Sequence, residues 1–402
     1  MINFDYKKFD FFLINKNNWK QQEEVFYGYK TVGDNGIWLH VYWEDNKLLI
    51  KGSHIQPYIF IYKDDNYWSI SNNFYLLTLD LEDKNIKVTE NEFFKNWNDG
   101  RFGFCIHCPI DETLYNEIKV NPNYSYIEID DSKLNIIEFN SEVFTKPLEK
   151  SKSDLIEWYL KYCNFCKNLP NGSLYADFSG GFDSRILFSL YRNIDNVNIN
   201  SSWQKGDEEE HYYDGLLCRL YLKRNMKHKY KIKSRDSGNY KNQNIEITPQ
   251  MIEDKKQNLF LHYLFNYGVL PLKETEIVDT QSDDFKNIKP RNDTKIYQLS
   301  GIGMELHKWE LGNCVEEINA TTRRWMINKA IFNYYKMGKL TIYAFMDDDL
   351  LKVQGRNDNT FPLIMAGLTD TYDSEVPYYS RYEMHFVTPQ DIQNALSIFK
   401  ED

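Results

Sequence analysis

SLYADFSGGFDSRILFSLY, residues Ser173 to Tyr191, passes from an apolar run of strand character (Ser173 to Phe178) through a glycine loop into apolar residues at helical spacing, Ser184 to Arg192. Strand, glycine loop and helix in that order aim free backbone N–H groups and the positive end of a helix at an anion. Gly180 and Gly181 permit a close backbone approach that a Cβ would block, and Ser179 and Ser184 supply short hydroxyl donors. Asp183 is the residue expected to hold Mg2+ against a phosphate chain, because a bare carboxylate repels phosphates and a bridging divalent ion reverses that repulsion. The competing reading is a tight turn whose glycines only reverse the chain; the strand before it and the helix after it favour the anion site. The lysine of G-x-x-x-x-G-K-[ST] is missing. That disfavours γ-phosphoryl transfer and favours cleavage of ATP between its α- and β-phosphates, with release of pyrophosphate.

Working outward, a helix is expected over Asp154 to Lys167, then strands over Val197 to Ser202 and His228 to Lys231 with a helix, Glu208 to Asn225, between them. Alternating strands and helices imply a parallel sheet with right-handed crossovers, whose ligands sit at the carboxyl ends of the strands. Residues 36–81 read differently: GIWLHVYW, KLLIKG, PYIFIYK and YWSISN are aromatic and β-branched runs separated by turn residues, an antiparallel meander. A further strand is expected from Tyr124 to Ile129. The polar stretch Ser141 to Ser153 marks a boundary, giving a β-rich domain over residues 1–148 and a nucleotide-binding domain over 149–402.

Lys and Arg total 48 against 59 Asp and Glu, a formal charge of -11, so no nucleic-acid partner is expected. The N-terminal residues lack the apolar core of a signal peptide, and no apolar run is long enough to cross a membrane. With six cysteines in no regular framework, the expectation is a reduced, cytoplasmic protein without membrane attachment. Two pairs, Cys105/Cys108 and Cys163/Cys166, have the C-x-x-C spacing of zinc sites and redox switches. The second pair falls in the amphipathic run LIEWYLKYCNFCK, where buried thiols are ordinary core, so both pairs are read as structural. Eight histidines form no H-x-x-x-H pair, leaving magnesium as the expected metal. The acidic run Asp207 to Glu210 suits a helix start, with a substrate role for Glu209 or Glu210 left open.

With the loop stand four further segments. Ser201-Ser202-Trp203 with Glu208, Glu209, Tyr213, Asp214 and His228-Lys229-Tyr230; Leu299-Ser300-Gly301-Ile302-Gly303-Met304-Glu305-Leu306; Thr341 to Asp347; and Thr113 to Lys119 before Asn121-Pro122-Asn123. Together they resemble the asparagine synthetase-like branch of the PP-loop ATP pyrophosphatases, which includes asparagine synthetase, β-lactam synthetase and lasso-peptide cyclases. The second segment resembles LSG-x-G-x-(D)E, the third P-F-x-D, and the fourth T-L-F-x-G-I-x-x-L-P-P-G. The resemblance implies an α/β fold: a parallel-sheet, adenine nucleotide alpha hydrolase-like PP-loop domain preceded by a degenerate, Ntn-hydrolase-like, β-rich domain. That half would be a glutaminase remnant, since the chain begins Met1-Ile2 and lacks the N-terminal Cys nucleophile.

The chemistry implied is attack of a substrate carboxylate on the α-phosphate of ATP, giving an acyl-adenylate and pyrophosphate, then displacement of AMP by ammonia or an amine to form an amide. Ser202, Ser300 and Gly301 would join the loop in binding ATP, and Glu305 would contact Mg2+ or substrate. The family's acidic pair is reduced here to Met304-Glu305, and its K-x-x-L-R segment is not recognisable. Arg381, with Lys352 and Arg356 as alternatives, is the candidate replacement cation. The acid is a small molecule or a peptide carboxylate; the ammonia or amine may arrive from a partner protein, and oligomeric state is not readable. Two other readings stay open: a non-catalytic nucleotide-binding relative, and a thiolation or amidination chemistry that would need Cys105 and Cys108.

Overall fold

The computed structural model describes residues 6–53, 56–92, 113–122, 125–138, 148–177, 182–191, 194–195, 197–205, 229–236, 248–250, 261, 263–265, 268, 295–301, 327 and 329–347. The chain forms two compact units, each discontinuous in sequence. One comprises residues 1–140, 246–294 and 314–340, the other 141–245, 295–313 and 341–402.

The first unit contains β1 (Leu13–Asn15), β2 (Val25–Lys30), β3 (Gly36–Glu44), β4 (Lys47–Gly52), β5 (Phe60–Lys63), β6 (Trp68–Ser71), helix α1 (Phe74–Asp83), β7 (Ile118–Val120), β8 (Ser125–Asp130) and β9 (Lys133–Glu138). They make two antiparallel sheets, ordered β1-β6-β5-β7 and β2-β3-β4-β8-β9. The meander expected over residues 36–81 is therefore divided. Asp45 (φ 50°) and Asn46 (φ 63°) close a tight β3–β4 hairpin, the left-handed pair that matches strand twist. Residues 53–59 separate β4 from β5, and β4 takes β8 as its second neighbour instead. Asp131 (φ 46°) and Ser132 (φ 62°) close the β8–β9 hairpin in the same way.

Alternation buries Ile37, Leu39 and Val41 of β3, Leu48 and Ile50 of β4, and Ile127 and Ile129 of β8 to 1% exposure or less, the period-two pattern of a sheet with one buried face. On the other sheet, α1 is capped by Asn73, whose side chain accepts from the Leu76 N–H at 3.0 Å. Its Phe74, Leu77 and Leu81 pack on Phe60, Tyr62, Ile118 and Val120. Thr113, fully buried, donates to the Ile118 carbonyl at 2.8 Å and fixes the turn into β7.

Residues distant in sequence complete this unit. Gly268 lies against Phe74 so closely that an added Cβ would stand 2.2 Å from the ring. Tyr335, in a helical stretch ended by Gly338 (φ 66°), donates to Asp10 Oδ2 at 2.5 Å and accepts from the Gly28 N–H at 3.1 Å.

The second unit contains helices α2 (Leu148–Lys167) and α3 (Phe182–Tyr191) and strands β10 (Leu174–Asp177), β11 (Asn198–Lys205), β12 (Lys229–Asp236), β13 (Ile296–Ser300) and β14 (Lys339–Tyr343). The strands form one sheet, β12-β11-β10-β13-β14; the pairs β10–β11, β10–β13 and β11–β12 are parallel. The expected α/β pattern is thus observed, with β11 and β12 running three and five residues further than the sequence suggested. The expected helix over 208–225 lies outside the described residues. Among the described residues no helix is long and apolar enough to cross a membrane.

Candidate nucleotide-binding site

Strand order decides where a ligand sits. From β10 the chain builds outward through β11 to β12, then returns to the opposite side of β10 with β13 and β14. The order reverses between β10 and β13, and the carboxyl ends of the strands flanking such a switch form the binding crevice of open α/β sheets.

The two signature segments leave the sheet there. β10 ends at Asp177 and α3 begins at Phe182, so Phe178 to Gly181 join them and the helix starts at the carboxyl end of the strand. Its first turn contains Asp183 and Ser184, and Ser184 is buried. The N–H groups of that turn have no partner within the helix, which is the basis of anion binding at helix N-termini. α3 is held by Leu187, Phe188, Leu190 and Tyr191, each at most 3% exposed. On the other side of the switch, Ser300 is the last residue of β13, buried at 7% exposure, and Gly301 follows it.

The register places these ends at one level. Ala176 pairs with Leu299 and Asp177 with Asn200, so Asn200, Asp177 and Ser300 stand side by side on β11, β10 and β13. Ser202 lies two residues further along β11, opposite Lys233 of β12. Asp177, the last residue of β10, was not singled out within the strand SLYADF.

Asp183, Ser184, Ser202, Ser300 and Gly301 are thus on the elements that frame the carboxyl edge. Ser179, Gly180, Gly181, Glu305 and Arg381, with Lys352 and Arg356, lie outside the described residues. So do Glu209, Glu210, Cys105 and Cys108. A helix N-terminus four residues after its strand, with a glycine pair between them in sequence and a carboxylate in the residues of the first turn, is a combination suited to an anion.

The segment quoted as P-F-x-D is anchored internally. The Asp347 carboxylate is fully buried, with Lys161 Nζ at 2.8 Å and Tyr162 Oη donating at 2.9 Å to the same Oδ2. Beside it, Trp158 Nε1 donates to the Ala344 carbonyl at 2.8 Å and its ring stacks on Phe345. α2 therefore fixes the end of β14. Further along α2, burial pushes the Cys166 thiol up to about 12 and raises that of Cys163. A thiol protonated at neutral pH is a poor metal ligand and a poor nucleophile, in keeping with the structural reading of this pair. Among the described residues no group of three His, Cys, Asp or Glu side chains is gathered as a metal site.

No protein-family model matches the chain, and no curated protein matches it significantly. Solved structures give partial likenesses. An NH3-dependent NAD synthetase from Campylobacter jejuni is 13% identical, over 64% of this chain and 95% of its own, at a TM-score of 0.21. The U34-tRNA thiolase NcsA from Methanococcus maripaludis is 13% identical over 63% and 80%, at 0.22. An NMN synthetase from Francisella tularensis is 12% identical over 54% and 97%, at 0.18. Superposition this loose carries no argument about activity.

Proposed function

We propose that the chain is an ATP-dependent, AMP-forming amide ligase of the asparagine synthetase-like kind, which adenylates a substrate carboxylate and passes the acyl group to ammonia or an amine. The observation that carries this reading is that β10, which precedes SGGFDS in sequence, and β13, which ends in Leu299-Ser300 of LSGIGME, are parallel neighbours at the switch point of the sheet. Phosphate loop and substrate segment must meet for adenylation, and neighbouring strands support that arrangement.

In this reading the N–H groups at the start of α3, with Gly180 and Gly181, receive the pyrophosphate portion of ATP, and Ser179 and Ser184 donate to its oxygens. Asp183 and Glu305 would hold Mg2+, whose positive charge offsets the charge of the phosphates. The carboxylate oxygen of the acid forms a bond to the α-phosphorus as the bond to the β-phosphate bridging oxygen breaks, releasing pyrophosphate; the amine then attacks the acyl carbon, AMP leaves, and the amine loses a proton. Arg381 is the candidate cation for the charge that develops in both steps. Residues 1–148 would be the glutaminase-like remnant, so ammonia or the amine is drawn from solution or a partner.

Exchange of labelled pyrophosphate into ATP tests the reading. Exchange dependent on added carboxylic acids is expected; nucleotide binding without exchange across all acid pools would make the chain a non-catalytic relative.

A further inference from the structure

Two contacts fix the level of α2 along the sheet. Near its carboxyl end, Phe165 meets the ring of Tyr297 edge to face, with 6.0 Å between centroids. Tyr297 pairs with Leu174, the first residue of β10, so this contact lies at the amino edge. Seven residues earlier, a helical rise of about 10.5 Å, Trp158 donates to the Ala344 carbonyl. The strand from Tyr297 to Ser300 rises by about 10 Å. Trp158 and Ala344, the residue after β14, therefore stand about level with Ser300, at the carboxyl edge where β10 and β13 end. α2 also packs against α3, so both helices cover the same face of the sheet.

Lys161 follows Trp158 by three residues on this helix, and helical side chains lean toward the helix N-terminus, here toward the carboxyl edge. Its ammonium is 2.8 Å from the fully buried carboxylate of Asp347, which also accepts from Tyr162, while the lysine side chain stays 26% exposed. An apolar pair of similar volume would join α2 to the end of β14 at least as firmly, so anchoring alone does not account for a lysine here. A lysine held by a buried carboxylate supplies something an apolar pair cannot, a cation in a fixed place.

We infer that Lys161 is a nucleotide contact, its ammonium donating to an oxygen of the α-phosphate, and that Asp347 is its positioning residue. The inference rests on the ligase reading for where the phosphates lie. With the pyrophosphate portion at the start of α3 and the acid beside LSGIGME, the α-phosphate falls between α3 and the β13–β14 side of the edge, the side from which Lys161 approaches. An ammonium has three N–H donors, so a bond to Asp347 and one to a phosphate oxygen are compatible. Lys161 exchanges no proton in this role; its charge offsets the negative charge that grows on the α-phosphate oxygens as the acid attacks.

The test compares AMP with adenosine, which lacks the phosphate, by titration calorimetry on the full chain. Lys161→Met with Asp347→Asn removes both charges together and keeps a carbonyl oxygen for Tyr162, so no buried charge is left uncompensated. A urea midpoint near that of the wild type checks its folding, and Lys161→Gln alone is the second variant. In both, the preference for AMP over adenosine should fall by about tenfold or more, the scale of one charge-assisted hydrogen bond, with adenosine affinity unchanged. Labelled pyrophosphate exchange should fall by about 10²-fold. Asp347→Asn alone should also lower the preference although it leaves the lysine charged, which a purely structural carboxylate would not do. An AMP preference unchanged in the Lys161 variants, or absent from the wild type, overturns the inference. A preference that falls with Lys161 in a chain that exchanges no pyrophosphate with any acid would leave the contact intact and fail the ligase reading alone.

Discussion

Ala176 of β10 and Leu299 of β13 are register partners in a parallel pair, so the two strands end side by side at Asp177 and Ser300. Asp183, in the first turn of α3, is the carboxylate that the proposed reading gives to the metal. Asp183→Ala is expected to lower AMP formation by about 10²-fold or more, the scale on which single electrostatic contacts to a transition state act. Its unfolding midpoint in urea should stay close to that of the wild type. A change of less than threefold in rate would remove Asp183 from the site.

The Asp347 carboxylate is fully buried, and Lys161 supplies its charge partner. Removing one member of a buried pair costs about 3–5 kcal/mol because the other is left uncompensated. The Lys161 side chain is 26% exposed, which screens the pair, so Lys161→Ala is expected to cost about 2 kcal/mol in urea unfolding. A loss below about 0.5 kcal/mol would mean that Tyr162 alone satisfies Asp347.

Alkali should destabilise the protein. Burial raises the Cys166 thiol from 9.0 to about 12. Burial also raises the Tyr27 and Tyr335 hydroxyls well above 10.0, with Asp10 adding to the effect on both. The folded state thus holds these groups protonated more firmly than the unfolded chain does. Their contribution is fully present below about pH 9 and is lost as the pH rises through the window above it, the unfolded chain releasing protons first. Urea midpoints measured between pH 8 and 11 should fall progressively above pH 9; a flat profile would contradict the burial of all three.

Gly28 has φ 92°, and a Cβ there would stand 2.1 Å from the Ile37 carbonyl oxygen. Its N–H is also the donor to Tyr335. Gly28→Ala combines a disfavoured backbone with a backbone clash and is expected to cost about 3 kcal/mol or more. Gly33→Ala is the control, since nothing lies within 4 Å of its added Cβ although its φ of 61° is also positive; it should cost about 1 kcal/mol. Equal losses would mean that the close approach to Ile37 relaxes freely.

Much of the parallel sheet was legible because SLYADF, VNINSS and their flanking turns carry local signals that tertiary packing did not override. Hairpins closed by Asp45-Asn46 were legible for the same reason. The pairing of β4 with β8 was not, since nothing within KLLIKG specifies a partner beyond residue 120. α1, FYLLTLDLED, escaped notice because Phe74, Tyr75, Leu76 and Leu77 form a short apolar run that suits a strand equally well; the Asn73 cap and contacts to β5 and β6 decide it. The link from Tyr335 to Asp10 spans 325 positions, a separation at which local sequence holds no information. The glycine and serine spacing of the loop is a local signal, whereas the register of Asp177 with Asn200 and Ser300 comes only from strand pairing.

The central claim is the bond of ATP that is cleaved. Nucleotide products should be separated after incubation of the full chain with labelled ATP, Mg2+, ammonia and pooled carboxylic acids, beside Asp183→Ala. AMP and pyrophosphate that depend on the acid pool and vanish in the variant are the predicted result. ADP and phosphate as the products, or AMP formation unchanged by Asp183→Ala, would contradict the account.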